Sequence, residues 1–376
     1  MPPLSLYIHF PWCLQKCPYC DFNSHALKQD LPEERYIAAL LDDLRVEIAA
    51  LPQPRRIESI FMGGGTPSLF SAAALERLLK GVKALVELAD DCEITLEANP
   101  GTFESAKFSA YRELGINRLS IGIQSFDDAQ LARLGRVHNA EEAFGAAQIA
   151  RDAGFDNLNL DLMFGLPEQT EHSAIADVAA ALSLKPTHIS YYQLTLEPNT
   201  YFHRYPPQLP DDETIFTHQQ RCQDLLAKQG YKQYEISAYA LPGFQCRHNR
   251  NYWQFGDYLG IGAGAHGKLS LAMPGHILRT TKPKNPEQYW LNPAGGSRAV
   301  IAQDQLSLEF VMNALRLKSG FSLADFQAAT GLAVDVLQPA LAQCLEAGLL
   351  ARHGERVACS AVGWNFLDSV LQKFLP

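Results

Sequence analysis

The stretch from Tyr7 to His25 reads YIHFPWCLQKCPYCDFNSH and carries three cysteines on one predicted loop. Cys13, Cys17 and Cys20 follow the spacing C-x-x-x-C-x-x-C, directly after a short apolar run that predicts a strand. Three thiolates on one loop can hold three irons of a four-iron, four-sulfur cluster and leave the fourth iron open to a small molecule. The spacing therefore predicts an iron–sulfur site.

The same cysteines also fit part of a zinc site, or reduced thiols in a loop. A structural zinc ion is normally closed by four ligands, and His9 or His25 could supply the fourth. The cysteine triplet alone leaves both metals open, so the rest of the chain has to separate them.

The composition is that of an ordinary globular protein. The chain has 376 residues, of which 47% are hydrophobic and 19% charged, which suits one large domain or a large and a small one. Its net charge of -9 argues against non-specific nucleic-acid binding, which needs a basic face. Without a signal-like leader or an apolar run that could span a bilayer, we expect a cytoplasmic protein with no integral membrane segment.

Predicted strands and helices alternate along the first 195 residues. Beyond the strand before Cys13, apolar runs predict strands over residues 57–64, 92–100, 117–125, 157–167 and 188–195. Strands that alternate with helices pair in parallel, and such sheets bind ligands at the carboxyl ends of their strands. The fold class is therefore α/β with a parallel sheet, to which residues 232–240 could add a seventh strand.

Polar residues lie near the ends of these strands. The run 63–66 (GGGT) ends the second strand, Glu97 and Gln124 lie near the ends of the third and fourth, and Asp161 is inside the fifth. A carboxylate or amide is costly to bury unless it is paired, so this recurrence beside the cysteine loop predicts one converging site. Three consecutive glycines exceed what a tight turn needs and indicate close approach of the backbone to a ligand.

A later glycine-rich stretch, GAGAHG (262–267), formally matches G-x-G-x-x-G. The nucleotide-binding fold requires that pattern between a first strand and a helix, and no clear helix follows here. The stretch therefore predicts a close-packed backbone turn.

The stretch CRHNRNYW (246–253) crowds one His, two Asn, a Tyr and a Trp into eight residues, which we interpret as a loop. A neutral imidazole is a common haem ligand, and flat aromatics suit a planar ring. Aromatic loop residues more often simply pack, so composition alone is a weak sign of binding.

From about Asp304 onward the pattern becomes mainly helical, with a short hairpin-like piece, and resembles a small winged-helix module. Its five Lys/Arg and seven Asp/Glu do not make the basic face of a DNA reader, so we interpret it as a packing or partner domain. The expected division is a barrel with its cluster loop over 1–240, the HNxxYW loop and connecting region over 241–300, and the C-terminal domain over 301–376.

These blocks together resemble the oxygen-independent coproporphyrinogen oxidase family of the radical S-adenosylmethionine superfamily. The resemblance covers essentially the whole chain and is carried by the cysteine motif, GGGTPS, ITLEANP, RLSIGIQSFD, LGRVHN, NLDLMFGLPEQT and YYQLTLEPNT. It implies a partial (β/α)6 barrel with a small C-terminal winged-helix-like domain.

The resemblance also implies the cofactors. Cys13, Cys17 and Cys20 would bind a [4Fe-4S] cluster, and S-adenosylmethionine would chelate the open iron through its amino and carboxylate groups. The positions that match S-adenosylmethionine contacts in the family are Tyr7, Tyr19, Gly64, Gly65, Thr66, Glu97, Gln124, Arg136 and Asp161.

One position separates two branches of that family. The dehydrogenase branch continues the motif with a fourth cysteine two residues after the third, where this chain has Phe22. The chain instead carries HNRNYW, which is similar to a motif of the haem-chaperone branch. The resemblance therefore implies a protein that binds haem and delivers it to acceptor haem proteins. His248 is the axial-ligand candidate and Cys246 a weaker one, and the pocket would be shaped by Asn249, Tyr252 and Trp253.

Two enzymatic alternatives stay open. One is a coproporphyrinogen III dehydrogenase that makes two oxidative decarboxylations, and the other is a radical enzyme acting on a different substrate. Either would need an electron donor for the cluster. The sequence assigns no catalytic residue, and it leaves open whether S-adenosylmethionine is cleaved or only bound.

Overall fold

The computed structural model describes residues 1–101, 106–271 and 276–375. The strands of this part of the chain are β1 (Leu4–Phe10), β2 (Trp12–Cys13), β3 (His25–Ala26), β4 (Ile57–Gly64), β5 (Leu88–Ala98), β6 (Arg118–Gln124), β7 (Asn157–Phe164), β8 (His188–Gln193), β9 (Lys232–Glu235), β10 (Ala238–Ala240), β11 (Asp257–Ile261), β12 (His266–Ser270), β13 (Ile277–Thr281), β14 (Ser297–Val300), β15 (Phe321–Ser322), β16 (Leu350–His353) and β17 (Arg356–Cys359).

The described α-helices connect these strands and form the C-terminal region. They are α1 (Glu33–Ala49), α2 (Ala72–Leu85), α3 (Phe108–Glu113), α4 (Asp128–Arg133), α5 (Ala140–Asp152), α6 (Glu171–Ser183), α7 (Tyr201–Arg204), α8 (Asp212–Lys228), α9 (Arg247–Trp253), α10 (Pro286–Leu291), α11 (Gln303–Ala314), α12 (Leu323–Thr330), α13 (Ala340–Glu346), α14 (Ala361–Asn365) and α15 (Leu367–Gln372).

Twelve of the described strands form one sheet, in the order β14-β13-β12-β11-β1-β4-β5-β6-β7-β8-β10-β9. The pairs from β11 through β1 and β4 to β8 are all parallel. The six predicted strands therefore exist and pair as expected, and the α/β fold class is confirmed.

Each parallel strand has an apolar face that packs against helices, and polar residues such as Ser120 and Asn159 alternate with it on the other face. Leu119, Leu160 and Ile189 on three neighbouring strands are fully buried in one core, against which the helices pack their apolar faces. Burying each such side chain contributes about 1.5–3 kcal/mol. The apolar residues that predict the strands therefore form this core.

The single strand predicted over 232–240 is wrong, because the chain turns back on itself there. β9 and β10 pair antiparallel, and β10 is also antiparallel to β8. The turn is held by the Ser237 amide, which donates to Glu235 Oε1 at 2.9 Å, and by the Ser237 carbonyl, which accepts from the Tyr191 amide at 2.7 Å.

The segment 241–300 adds strands to the main sheet. β11 pairs in parallel with β1, and β12 to β14 continue the sheet antiparallel. The predicted close-packed turn at 262–267 is confirmed, because Gly262 has φ 103° and an added Cβ would lie 2.4 Å from the His9 carbonyl oxygen. We therefore propose to group 241–300 with the barrel and not to treat it as a separate connecting region.

The C-terminal region has its own core. Helices α11 to α13 and the small antiparallel sheet β15-β17-β16 enclose residues such as Phe310, Phe326 and Leu341, which are at most 2% exposed. The same core includes Phe255 and Ile277 from the main sheet side, so it packs directly against the barrel.

Candidate functional site

The three cysteines of the N-terminal loop line one cavity of about 380 Å³. The loop leaves the carboxyl end of β1 and returns through β3, which pairs with β2 at Trp12 and Cys13. A turn bond from the Cys20 amide to the Cys17 carbonyl (3.1 Å) closes it. All three are free, partly buried thiols. The loop therefore presents Cys13, Cys17 and Cys20 to a common space.

Burial raises the pKa of Cys13 and of Cys20, and hydrogen bonds from Thr66 and Ser24 work against that rise. Among the described residues, no three Cys, His, Asp or Glu side chains converge in an arrangement that could hold a metal ion. Assignment of these thiols to a cluster accordingly stays a prediction.

The glycine run forms the adjacent wall of the cavity. Gly64 has φ +111°, and a Cβ there would lie 2.3 Å from Cε1 of His9. A Cβ on Gly65 would lie 2.5 Å from the Trp12 carbonyl oxygen. The glycines are thus required by the close approach of the chain's own strand end, and both also line the cavity. Close approach of a ligand to the backbone, which the sequence predicts, is therefore only part of the reason for the glycine run.

Two strand-end carboxyl groups lie in the same cavity, as predicted. Glu97 Oε2 accepts from the Gly64 amide at 3.1 Å, and Asp161 accepts from Ser120 at 3.2 Å and from Asn159 at 2.8 Å. Burial, followed by repulsion from Asp161, raises the pKa of Glu97 to about 7. Burial also raises the pKa of Asp161. These partly buried acids can accept a cationic ligand group.

Replacing Glu97 with Gln should increase the free energy of unfolding, by an amount that grows as the pH rises from ~5 to ~8. An unfolded glutamate ionises near its ordinary pKa of 4.5, whereas folded Glu97 keeps its proton to about pH 7. The folded state binds more protons between those values, so this group lowers stability as pH rises through that window. Urea unfolding of the ligand-free protein should show Glu97→Gln gaining about 1–3 kcal/mol over wild type between pH ~5 and ~8.

The exposed change Glu34→Gln is the matched control for this measurement, because it removes one charge without altering a buried site. An equal gain in unfolding free energy in both variants, or no gain in Glu97→Gln, would contradict a raised pKa of Glu97.

The remaining strand-end and loop residues complete the wall. Tyr192 donates to Gln124 Oε1 at 2.7 Å, and Gln124 itself has φ 72°. Arg136 is partly buried and places Nη1 at 3.5 Å from the Sγ of Cys17, while Tyr19 lines the cavity beside it. Gln124, Arg136 and Tyr19 thus line the same cavity as the three cysteines.

Asn99 is a member of the site that the sequence reasoning missed. Its Nδ2 donates to Thr66 Oγ1 at 2.9 Å, and its Oδ1 accepts from Arg136 Nη2 at 2.6 Å. A chain of contacts therefore runs from Cys13 through Thr66, Asn99 and Arg136 to Cys17. The Asn-Pro pair directly after β5 is the feature of the sequence by which Asn99 could have been found.

Tyr7 is placed differently from the other predicted cofactor contacts. Among the described residues that line the cavity it is absent, and its hydroxyl lies 2.9 Å from Nδ1 of His9. The other His9 ring nitrogen, Nε2, lies 2.9 Å from the Asn23 carbonyl oxygen. Tyr7 supports the histidine on which the glycine run packs.

The stretch 246–253 was predicted to be a loop, and that prediction is wrong. Residues Arg247–Trp253 form helix α9, whose first amides are capped by the carboxylate of Glu93 on β5. The Arg247 amide donates to Glu93 Oε1 at 3.0 Å, and the His248 amide does so at 3.2 Å. A cap from a distant strand thus stabilises a helix that could not be predicted from its own sequence.

Helix α9 contributes two side chains to the cavity. Asn249 and Trp253 line it, four residues apart on one face of the helix. The helix contacts Ser5, Ser59 and Glu93, which lie side by side on β1, β4 and β5, whereas the cysteine loop follows the carboxyl end of β1. The cavity therefore extends along the inside of the sheet from the cysteine loop to α9.

The other haem-ligand candidates of this stretch are enclosed. His248 is fully buried, with Nδ1 at 3.1 Å from Ser59 Oγ and Nε2 at 2.8 Å from the Tyr252 hydroxyl. Burial lowers the pKa of His248 to about 3, so the ring is neutral. Burial raises the pKa of Cys246 to about 12, and its thiol lies 3.6 Å from Glu93 Oε1. Among the described residues that line the cavity, His248, Tyr252 and Cys246 are all absent.

Comparison with known proteins gives the family. A family model described as the radical SAM superfamily matches residues 7–180, and one described as the HemN C-terminal domain matches residues 301–366. The heme chaperone HemW of Escherichia coli (strain K12) is 48% identical over 375 residues, which cover 100% of this chain and 99% of that protein. The chain belongs to the HemW family. The predicted branch is confirmed.

Other relatives agree with this assignment. The HemW proteins of Haemophilus influenzae (strain ATCC 51907 / DSM 11121 / KW20 / Rd) and Bacillus subtilis (strain 168) are 47% and 34% identical, and the matches cover 100% and 99% of this chain and 98% and 99% of those proteins. The coproporphyrinogen III oxidase HemN of Escherichia coli superimposes with a TM-score of 0.82 at 23% identity, over 99% of this chain and 90% of that one. That likeness shows a common fold between HemN and this member of the HemW family.

No helix within the described ranges is both long enough and apolar enough to cross a membrane.

Proposed function

We propose that this protein is a haem chaperone, which binds haem and transfers it to acceptor haem proteins. The observation that carries the proposal is the composition of one cavity wall. The cavity joins the three cysteines and the glycine run to Asn249 and Trp253 of the HNRNYW helix, the segment that marks the chaperone branch. Membership of the HemW family, whose relatives are named heme chaperones, supports the same reading.

We further propose that Cys13, Cys17 and Cys20 hold a [4Fe-4S] cluster and that S-adenosylmethionine binds beside it. The residues fit these groups: three free thiols share a cavity with the glycine run and with two partly buried acids. When bound, a reduced cluster of this superfamily supplies an electron that can cleave the sulfonium bond of S-adenosylmethionine.

The chain's own residues would bind and orient the cofactor. Gly64 and Gly65 would line the site of its methionine end, and Glu97 and Asp161 could accept its ammonium group. Arg136, held by Asn99 and by the Gly122 carbonyl (2.8 Å), keeps a positive charge against Cys17. These contacts would fix the position of S-adenosylmethionine and keep water away from it, which is what a protein contributes to cofactor chemistry.

Phe22 bears on the choice between chaperone and dehydrogenase. Where the dehydrogenase branch has a fourth cysteine, this side chain lines the mouth of the cavity and is 60% exposed. A phenyl ring cannot coordinate a metal ion, and it can neither donate nor accept a proton. The position thus lacks the chemistry that a cysteine would provide.

One assay separates the two functions. Reduced, cluster-loaded protein incubated with S-adenosylmethionine and coproporphyrinogen III should form no protoporphyrinogen, while a parallel titration should show one haem bound tightly per chain. Turnover to protoporphyrinogen would overturn the chaperone assignment in favour of the dehydrogenase. Deoxyadenosine release without that product would not, because cofactor cleavage can be idle.

The axial ligand is a finer proposal. His248 remains our candidate, and ligation requires that its ring leave Tyr252, which now lies 2.8 Å from Nε2. We expect His248→Ala to change the absorption spectrum of bound haem, since the iron loses a nitrogen ligand. We expect Tyr252→Phe to keep the spectrum and to bind haem at least as tightly, because no bond to the ring has to break. An unchanged spectrum in His248→Ala would rule out the axial role.

We propose a cytoplasmic location, with haem-acceptor proteins and an electron donor as partners. The net charge of -9 supports the absence of nucleic acid from that set.

A further inference from the structure

The end of the cavity near helix α9 contains a cation that belongs to the C-terminal domain. Arg316 follows helix α11 and lines the cavity together with Asn249 and Trp253. Its guanidinium carbon lies 4.3 Å from the centre of the Trp253 ring, a stacked geometry that favours a positive charge. The C-terminal domain therefore contributes directly to the wall of the barrel cavity.

The backbone around Arg316 holds this side chain in place. Leu317 forms a β-bridge with Glu235, and the Lys318 amide donates to the Tyr234 carbonyl at 3.0 Å. Both contacts join the end of α11 to strand β9. Arg316 is thus directed into the cavity by main-chain pairing between the two domains, unlike a freely moving surface arginine.

The existing ion pair of Arg316 leaves donors unused. Nη2 lies 3.3 Å from Glu235 Oε2, which is long for a charge-assisted hydrogen bond. In the described structure, Arg316 Nε and Trp253 Nε1 are buried without a hydrogen-bond partner. Unsatisfied buried donors are uncommon in folded proteins. Two such donors on stacked side chains leave this end of the cavity short of hydrogen-bond acceptors.

The charges of the cavity lead to the same ligand chemistry. Its described lining contains two arginines, Arg136 and Arg316. Arg136 is already engaged by Cys17, Asn99 and the Gly122 carbonyl. Arg316 has a single carboxylate partner and a side chain that is 31% exposed. It is therefore the cation that remains for an anionic group of a ligand.

We propose that Arg316 binds a carboxylate of the cavity ligand, and that for haem this group is a propionate. The inference rests on the proposed haem-binding function and assigns one residue of the C-terminal domain to it. In the absence of ligand, Glu235 forms an ion pair with the Arg316 guanidinium, and it would compete with the carboxylate of the ligand. The C-terminal domain thereby selects for porphyrins that carry free acid groups.

Paired titrations with haem and with haem dimethyl ester test this assignment, because esterification removes the negative charges and leaves the ring unchanged. Wild type should bind haem about tenfold more tightly than the ester, as the loss of one charge-assisted contact predicts. Arg316→Gln should lose that preference, with ester affinity unchanged. Arg316→Lys should keep part of it, since a point charge replaces the bidentate fork.

Two further variants serve as controls. Glu235→Gln should increase the preference for haem over its ester, because it removes the competing carboxylate while retaining an acceptor for the Ser237 amide. Arg352→Gln, at an exposed position of the same domain, should behave as wild type. Thermal unfolding of each variant confirms that it is folded before titration.

The outcomes separate this inference from the proposed function. If wild type binds haem and its ester equally well, or if Arg316→Gln keeps the wild-type preference, the carboxylate site is wrong and haem binding stands. If folded wild type binds neither porphyrin, the proposed function fails and the propionate assignment fails with it. A lost preference in Arg316→Gln and an increased one in Glu235→Gln would together support the site.

Discussion

Replacing Cys13, Cys17 and Cys20 together with alanine is expected to remove all cluster iron from the reconstituted protein. Three thiolates on one loop are the proposed ligands, and a cluster cannot stay bound when its only protein ligands are methyl groups. Iron analysis should fall from about four irons per chain to background. The visible absorption and the EPR signal of the reduced cluster should disappear with it.

The matched control is Cys359→Ala, which removes a partly buried thiol of the C-terminal domain outside the cysteine loop. This variant should keep the wild-type iron content. Metal analysis also decides between the two metals that the triplet leaves open. One zinc per chain after anaerobic purification, lost in the triple variant, would mean that the loop is a zinc site.

Haem binding by the same triple variant should be retained. Asn249, Trp253 and Arg316 line the cavity at helix α9, and the cysteine loop lies beyond the carboxyl end of β1. Haem titration of the triple variant beside wild type therefore measures whether haem and cluster are independent. Loss of haem binding from a folded triple variant would show that haem binds through the cluster.

The sequence predicts those parts of this protein that depend on local pattern. β4 and β7 carry apolar residues of the main core, such as Ile60 and Leu160, and these residues can be recognised without the structure. The convergence of Glu97, Gln124 and Asp161 is also predictable, because parallel strands bring their carboxyl ends to one edge of the sheet. Neither inference requires knowledge of a distant contact.

Helix α9 shows where that reasoning stops. Its sequence, RHNRNYW, contains residues of moderate helix propensity and has no side-chain cap of its own. The groups that satisfy its first amides are the carboxylate oxygens of Glu93, more than 150 positions earlier in the chain. A helix that is stabilised by a distant strand cannot be found from local periodicity.

Asn99 and Arg316 were missed for a related reason. Asn99 acts by joining Thr66 to Arg136, and Arg316 reaches the cavity because Leu317 pairs with Glu235. In the sequence each is one polar residue beside a helix or strand. Only the tertiary pairing brings them to the cavity.

Replacing Gly64 with alanine is expected to destabilise the protein. The backbone at Gly64 has φ +111°, which L side chains rarely adopt, and the new Cβ would lie 2.3–2.8 Å from three atoms of the His9 ring. That ring cannot move freely, because Tyr7 and the Asn23 carbonyl lie 2.9 Å from its two nitrogens. Strain and overlap together should cost about 2–4 kcal/mol of unfolding free energy in urea titrations.

Gly145→Ala is the matched control, because a Cβ at that position of helix α5 meets nothing within 4 Å. It should stabilise the protein by about 0.5–1 kcal/mol, the usual gain for this change inside a helix. The double variant His9→Ala/Gly64→Ala separates overlap from backbone strain. If overlap with the ring dominates, the two losses are strongly non-additive, and Gly64→Ala costs only about 1–2 kcal/mol once the ring is gone. Full additivity, or a Gly64→Ala variant as stable as wild type, would show that the glycine run is not packed against His9.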